Sequence, residues 1–226
     1  MQVSAKIVMM RSLVLFAALS ILGLGGDSVN FDGLEPGVLP PNWSFTSAHG
    51  GVPSHWEVRP DPTAPSRGNV LEQKSGTAPA DSPVAIFDKV ICRDGELSVK
   101  FKIEAGRPAH AAGIVWRYQD PDNYYLLHFS ADQKSIALFR IHNGKTEPVR
   151  MARSDGGRTA ISHDVRAGQW YVAKVIFRGP HIRVLFGNRR LFDAEDSSIG
   201  GAGKTGVWTK GRTMASFDDF RIDRKS

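Results

Sequence analysis

The side chains best equipped for chemistry in this sequence crowd together: Arg117, Tyr124 and His128, then Arg140 and His142. Guanidinium and imidazole groups donate directional hydrogen bonds, a phenol both donates and accepts, and flat rings present apolar faces. That combination suits a polar ligand of the sugar type, whose ring carbons stack on aromatics while its hydroxyls meet hydrogen-bonding groups. Trp208 and Lys210, two positions apart near the end of the chain, share a strand face and extend the same set. The competing reading is a solvated sheet face, which carries the same residue types.

Residues able to catalyse are present, but not in catalytic spacing. Glycoside hydrolysis needs two carboxylates about 5–5.5 Å apart, or a wider pair around a water. Asp120 and Asp122 flank Pro121 in an Asp-Pro-Asp-Asn run, where Asp stabilises a turn through its own backbone contacts. Glu195-Asp196 and Asp218-Asp219 are adjacent, so on a strand their side chains point to opposite faces. His110, His128, His142, His163 and His181 lack the paired spacing or Cys partners of a zinc site. No Gly-x-Ser-x-Gly occurs, and Gly200-Gly201-Ala202-Gly203-Lys204-Thr205 lacks the spacer and helix of a phosphate loop.

The elements that position the candidate residues are strands. Gly113–Gln119 and Tyr124–Phe129, rich in β-branched and aromatic residues, flank the Asp120–Asn123 turn and form a hairpin. Alternation puts Ile114, Trp116 and Tyr118 with Tyr125, Leu127 and Phe129 on an apolar face. Val115, Arg117, Gln119, Tyr124, Leu126 and His128 then lie on the other. Ser135–His142 continues the meander, and Asn143-Gly144 closes a further hairpin through a type I′ turn. Ala137, Phe139 and Ile141 are expected on the apolar face, leaving Ile136, Leu138, Arg140 and His142 on the mixed one. Short strands recur elsewhere, as in Leu97/Val99/Phe101/Ile103 and Tyr171/Ala173/Val175/Phe177. No stretch after the N-terminus carries a capped helical period. The spacing predicts an all-β, two-sheet antiparallel β-sandwich spanning 26–226 as a single domain.

Residues 1–25 are set apart: Lys6 and Arg11 precede an apolar run, Leu13–Leu22, followed by Gly23-Leu24-Gly25. This reads as a signal peptide, implying a secreted or periplasmic protein with no stable membrane span after cleavage. Its removal lowers the formal charge from +6 by two cations, and the remaining charges are interspersed without the basic stripe that nucleic-acid binding requires. The single Cys, Cys92, cannot form an internal disulfide and reads as a buried small hydrophobe. The fold must therefore be held by its core.

The run Ala112-Gly113-Ile114-Val115-Trp116-Arg117-Tyr118-Gln119-Asp120-Pro121-Asp122-Asn123-Tyr124-Tyr125 resembles bacterial exported domains of the concanavalin A-like lectin/glucanase superfamily. So do Gly168-Gln169-Trp170, Gly187-Asn188-Arg189-Arg190-Leu191-Phe192-Asp193, Gly203–Lys210 and Phe217-Asp218-Asp219-Phe220. Laminin-G-like and 3-keto-disaccharide-hydrolase-like members are the most similar, and the resemblance spans residues 29–223. It implies a jelly roll whose concave sheet face binds sugars. Because that fold hosts lectins, glycosidases and interaction modules alike, it does not by itself assign an activity. The Glu-x-Asp-x-Glu strand of its glycosidases is absent here. A structural calcium, held in some such modules near the paired terminal strands, would fall to Asp32 and Asp219; no other cofactor is implied. The leading expectation is a noncatalytic module that binds a glycan or other extracellular ligand. A sugar-active hydrolase and a structural or protein-interaction domain are the alternatives.

Overall fold

A computed structural model describes residues 26–47, 54–74, 82–104 and 110–225; the expected signal peptide lies outside them. The strands are β1 (Asp27–Val29), β2 (Trp43–Ser47), β3 (Trp56–Pro60), β4 (Asn69–Gln73), β5 (Pro83–Cys92), β6 (Asp94–Ile103), β7 (Ala111–Asp120) and β8 (Asn123–Ser130). They continue as β9 (Ser135–His142), β10 (Lys145–Pro148), β11 (Ala160–Ser162), β12 (Trp170–Arg178), β13 (His181–Phe186), β14 (Arg189–Glu195), β15 (Gly203–Thr209) and β16 (Ala215–Lys225). One antiparallel sheet runs β14-β13-β12-β6-β16-β4-β3, with β1 on β16, and the other β10-β9-β8-β7-β15-β5-β2, with β11 on β9. This is the expected jelly-roll sandwich.

The two inner faces meet through the alternation the sequence carries. Leu97, Val99, Phe101 and Ile103 of β6 and Ala173, Val175 and Phe177 of β12 are buried against Ile114, Trp116, Tyr125, Leu127 and Phe129. Phe101 stacks on Phe129 at 4.6 Å across the interface, and Trp43 meets Phe220 edge-on at 5.0 Å. Each such ring buried contributes roughly 1.5–3 kcal/mol, so a core of this size holds the sandwich without disulfides. Cys92 is part of it, a free thiol whose burial raises its pKa.

Two expectations of facing are corrected. The β7–β8 ladder pairs Trp116 with Tyr125 and Asp120 with Asn123, so extra residues of β7 stand opposite Tyr124. At this bulge Arg117 takes a left-handed φ of 48°, and both Trp116 and Arg117 turn inward. Tyr118, placed by simple alternation among the core residues, moves to the outer face and packs with Tyr124 at 5.4 Å between ring centroids. The second correction concerns β9. Leu127 pairs with Leu138 and Phe129 with Ile136, so those β9 residues enter the core while Ala137, Phe139 and Ile141 face outward with His128, Leu126 and Tyr124. The physical reason is loop length. The connection Ala131–Lys134 has an even number of residues, which pairs odd positions of β8 with even positions of β9.

Candidate functional site

The outer faces of the two sheets differ in kind. On the first sheet, charged side chains neutralise one another: Lys174 with Glu96, Lys102 with Asp61 and Glu104, Arg183 with Asp193, and Arg190 with Asp155. Such a face is satisfied by itself. On the second sheet, the outer face carries a further cluster of buried apolar residues, among them Val84, Ile86, Val115, Tyr124, Leu126, Ile141 and Trp208, separate from the sandwich interior. A sheet face turned away from the core is normally polar. Here the apolar side chains are almost wholly buried against one another and form a second small cluster with a hollow at its edge.

This cluster borders a hollow of about 190 Å³, floored by Leu126, Phe139 and Ile141 and walled by Tyr124, His128 and Trp208. Register brings them together: Tyr124 stands opposite Ile141, Leu126 opposite Phe139, and His128 opposite Ala137. Trp208 lies opposite Gly113, which in turn lies opposite His128. Glycine is required at that crossing, since a Cβ on Gly113 would sit 2.7 Å from the Leu127 carbonyl oxygen and 3.3 Å from Trp208 Cε3. The missing side chain leaves room for the indole to lie beside the imidazole, their ring centroids 5.4 Å apart. Phe139 meets the same imidazole edge-on at 5.7 Å. Thr146, Ser82 and Lys210 complete the rim.

The electrostatics follow from burial. His128 is driven down to about 4, first by desolvation and then by the charge of Lys210, so its ring is neutral at physiological pH. Burial pushes Tyr118 up to about 12, aided by Asp120 and Asp122, and raises Tyr124 as well, so both phenols keep their protons. The indole Nε1 of Trp208 is buried without a hydrogen-bond partner among the described residues. Among the described residues no carboxylate lines the hollow. Nearby on the same face, Asp88 is already engaged by Lys204 at 2.7 Å and by the Ser44 hydroxyl.

Of the residues singled out from sequence, Tyr124, His128, Trp208 and Lys210 meet in this hollow, and Arg117, Arg140 and His142 do not. The Arg117 side chain is fully buried and donates to the carbonyls of Arg93, Ile199 and Gly179 and to Asp94. Arg140 lies on the inward side of β9, at the margin of the sandwich, where it pairs with Asp196 and Glu147. His142 alternates with Ile141 and so points away from the hollow. Tyr118, Phe139, Ile141 and Thr146 belong to the outer face and were not expected there. The length of the Ala131–Lys134 connection was the signal that could have placed the β9 and β10 residues; nothing local announces the bulge that turned Tyr118.

The calcium expectation is not met by the donor geometry. Asp219 is turned to Lys100 at 2.6 Å, and Asp32 accepts hydrogen bonds from Ser66 Oγ, Asn69 N and Asn30 Nδ2. The acid that shares Ser66 with Asp32 is Asp218, which accepts the N–H groups of Ser66 and Asp219, and whose burial raises its pKa. Their oxygens are occupied by N–H and O–H donors, and among the described residues no cluster of three or more His, Cys, Asp or Glu side chains converges. These residues do not fit a calcium ion as they stand.

No protein-family profile matches this sequence, and no curated protein is similar to it. Solved structures share its fold. A carbohydrate-binding module, CBM66, from Bacillus subtilis superposes with a TM-score of 0.61 at 16% identity, over 79% of this chain and 93% of that one. An apo Crh5 transglycosylase gives 0.60 at 10% identity, over 89% and 85%. The exoplasmic/lumenal domain of VIP36, solved with Ca2+ and Man3GlcNAc bound, gives 0.52 at 12% identity, over 88% of each chain. The likeness is one of fold alone: this chain shares a two-sheet β-sandwich with structures named as a binding module and as a transglycosylase. Among the described residues no helix is long and apolar enough to cross a membrane.

Proposed function

We propose that this chain is an exported, noncatalytic carbohydrate-binding domain that holds a sugar in the hollow formed by Tyr124, His128, Phe139 and Trp208. The carrying observation is the character of that outer face. Buried aromatic rings and an indole N–H with no partner among the described residues stand together around a hollow on the sheet face turned away from the sandwich interior. Aromatic rings receive the C–H face of a pyranose or furanose, while the Tyr124 hydroxyl, the His128 ring and the Trp208 N–H supply hydrogen bonds of fixed direction. The sheet is rigid, so little ordering cost opposes binding.

Among the described residues no carboxylate borders the hollow, which favours binding over hydrolysis, because a hydrolase of the usual kind would need two acids facing the scissile bond. Export is supported by the sequence pattern of residues 1–25. Kinship with laminin-G-like modules fits the same picture, and a sugar-active relative of the keto-disaccharide hydrolases is the reading it displaces.

Calorimetric titration with a panel of mono- and disaccharides tests the proposal. At least one sugar should bind, and Trp208→Ala should weaken it by at least about tenfold, or about 1.4 kcal/mol, with the thermal midpoint still showing a folded protein. Absence of binding across the panel, or binding indifferent to both Trp208→Ala and Tyr124→Ala, overturns it.

A further inference from the structure

Lys204, a cation on the same sheet face as the hollow, has a carboxylate partner, Asp88 at 2.7 Å. Lys210, at the rim, has none among the described residues, yet it is only partly exposed and close enough to His128 to lower its pKa. Of the other polar lining groups, the Trp208 indole can only donate, while the hydroxyls of Tyr124, Thr146 and Ser82 and the neutral His128 ring can donate or accept. Tyr124 and Trp208 are both more than nine-tenths buried, and the Trp208 Nε1 has no hydrogen-bond partner among the described residues. Among the described residues no Asp, Glu, Asn or Gln borders the hollow. A site with an unpaired cation, a donor-only indole N–H and no carboxylate among its described residues is complementary to an anion.

Resting on the reading of the hollow as a sugar site, we infer that its ligand is an acidic sugar residue, with a carboxylate or an ester sulfate set against Lys210 and the Trp208 N–H. The size agrees with a single ring: about 190 Å³ is below the ~300–1,000 Å³ of pockets that enclose drug-sized molecules. The apolar floor of Leu126, Phe139 and Ile141 then takes the face of that ring, and the charged substituent lies at the rim, where the cation is not wholly desolvated. A buried indole N–H left without an acceptor costs roughly 1–3 kcal/mol, and an anionic oxygen would relieve it.

The test is a titration of the full chain with the methyl glycosides of glucuronic and galacturonic acid, their neutral glucose and galactose counterparts, and the corresponding 6-sulfates. At low salt an acidic ligand should bind at least about tenfold tighter than its neutral counterpart. Lys210→Met should abolish that preference, bringing the acidic ligand's affinity down to about that of its neutral counterpart. Lys145→Met, which removes an exposed cation whose neighbour Thr146 is the residue facing the hollow, should keep the preference. A preference for sulfate alone or carboxylate alone supports the inference and identifies the group. Neutral sugars binding as well as acidic ones, with Trp208→Ala still weakening them, overturns it and leaves the binding function standing. Failure of every sugar to bind overturns both.

Discussion

Replacing Arg117 separates two roles that its sequence position leaves equally open. In the fold its side chain is fully enclosed. Nε donates to the Arg93 carbonyl at 2.9 Å, Nη1 to Ile199 at 3.0 Å, and Nη2 to Gly179 at 2.6 Å, with Asp94 at 3.3 Å. The guanidinium also lies 5.8 Å from the Phe177 ring centroid. It thereby ties the β5–β6 junction, the β12–β13 turn and the segment after β14 to the bulge in β7. Arg117→Met fills much of the same volume but leaves these carbonyls without donors, at roughly 1–3 kcal/mol for each buried orphan. Relief of the buried charge, and the Gly179 N–H that Asp94 keeps at 2.8 Å, offset part of the loss. The net destabilisation is about 3–5 kcal/mol, equivalent to a fall in Tm of roughly 6–20 °C in a domain of this size. Arg117→Lys should recover only part of it, because an ammonium cannot span the fork. Urea denaturation and calorimetry measure the loss, and sugar titration of the folded fraction should show unchanged affinity. A loss below about 1 kcal/mol, or a variant of normal stability that no longer binds sugar, would refute the assignment of Arg117 to the frame.

Two further outcomes follow from the hollow. Because folding lowers the His128 pKa from 6.5 to about 4, the unfolded chain binds the extra proton between those values. Stability should be complete above pH 6.5 and decline as pH falls to about 4, by about 3 kcal/mol in all. The slope should be missing in His128→Gln, as read from urea midpoints across that window, and a wild-type contribution with no slope would show the imidazole to be solvated. Gly113→Ala should lower stability by about 1–3 kcal/mol and displace Trp208, weakening sugar binding. An unchanged midpoint would show that the sheet yields there more readily than its 2.7 Å approach to the Leu127 carbonyl allows.

The sequence by itself determined the class of fold and most of the interior. Alternation with period two is a local property, so it correctly sends Ile114, Trp116, Tyr125, Leu127 and Phe129 to the core and Tyr124, Leu126 and His128 away from it. Trp208 and Lys210 are legible for the same reason. Tertiary structure alone decided where alternation is interrupted. The bulge at Arg117 is set by the joint register of β7 with β8 and β15, which no window of neighbouring residues encodes. It carried the guanidinium inward and brought Tyr118 out. The facing of Arg140, His142 and Phe139 lay between these cases, fixed by the length of one four-residue connection, Ala131–Lys134. A pleat inverts with every residue added, so a single step in register converts a ligand-facing arginine into a structural one.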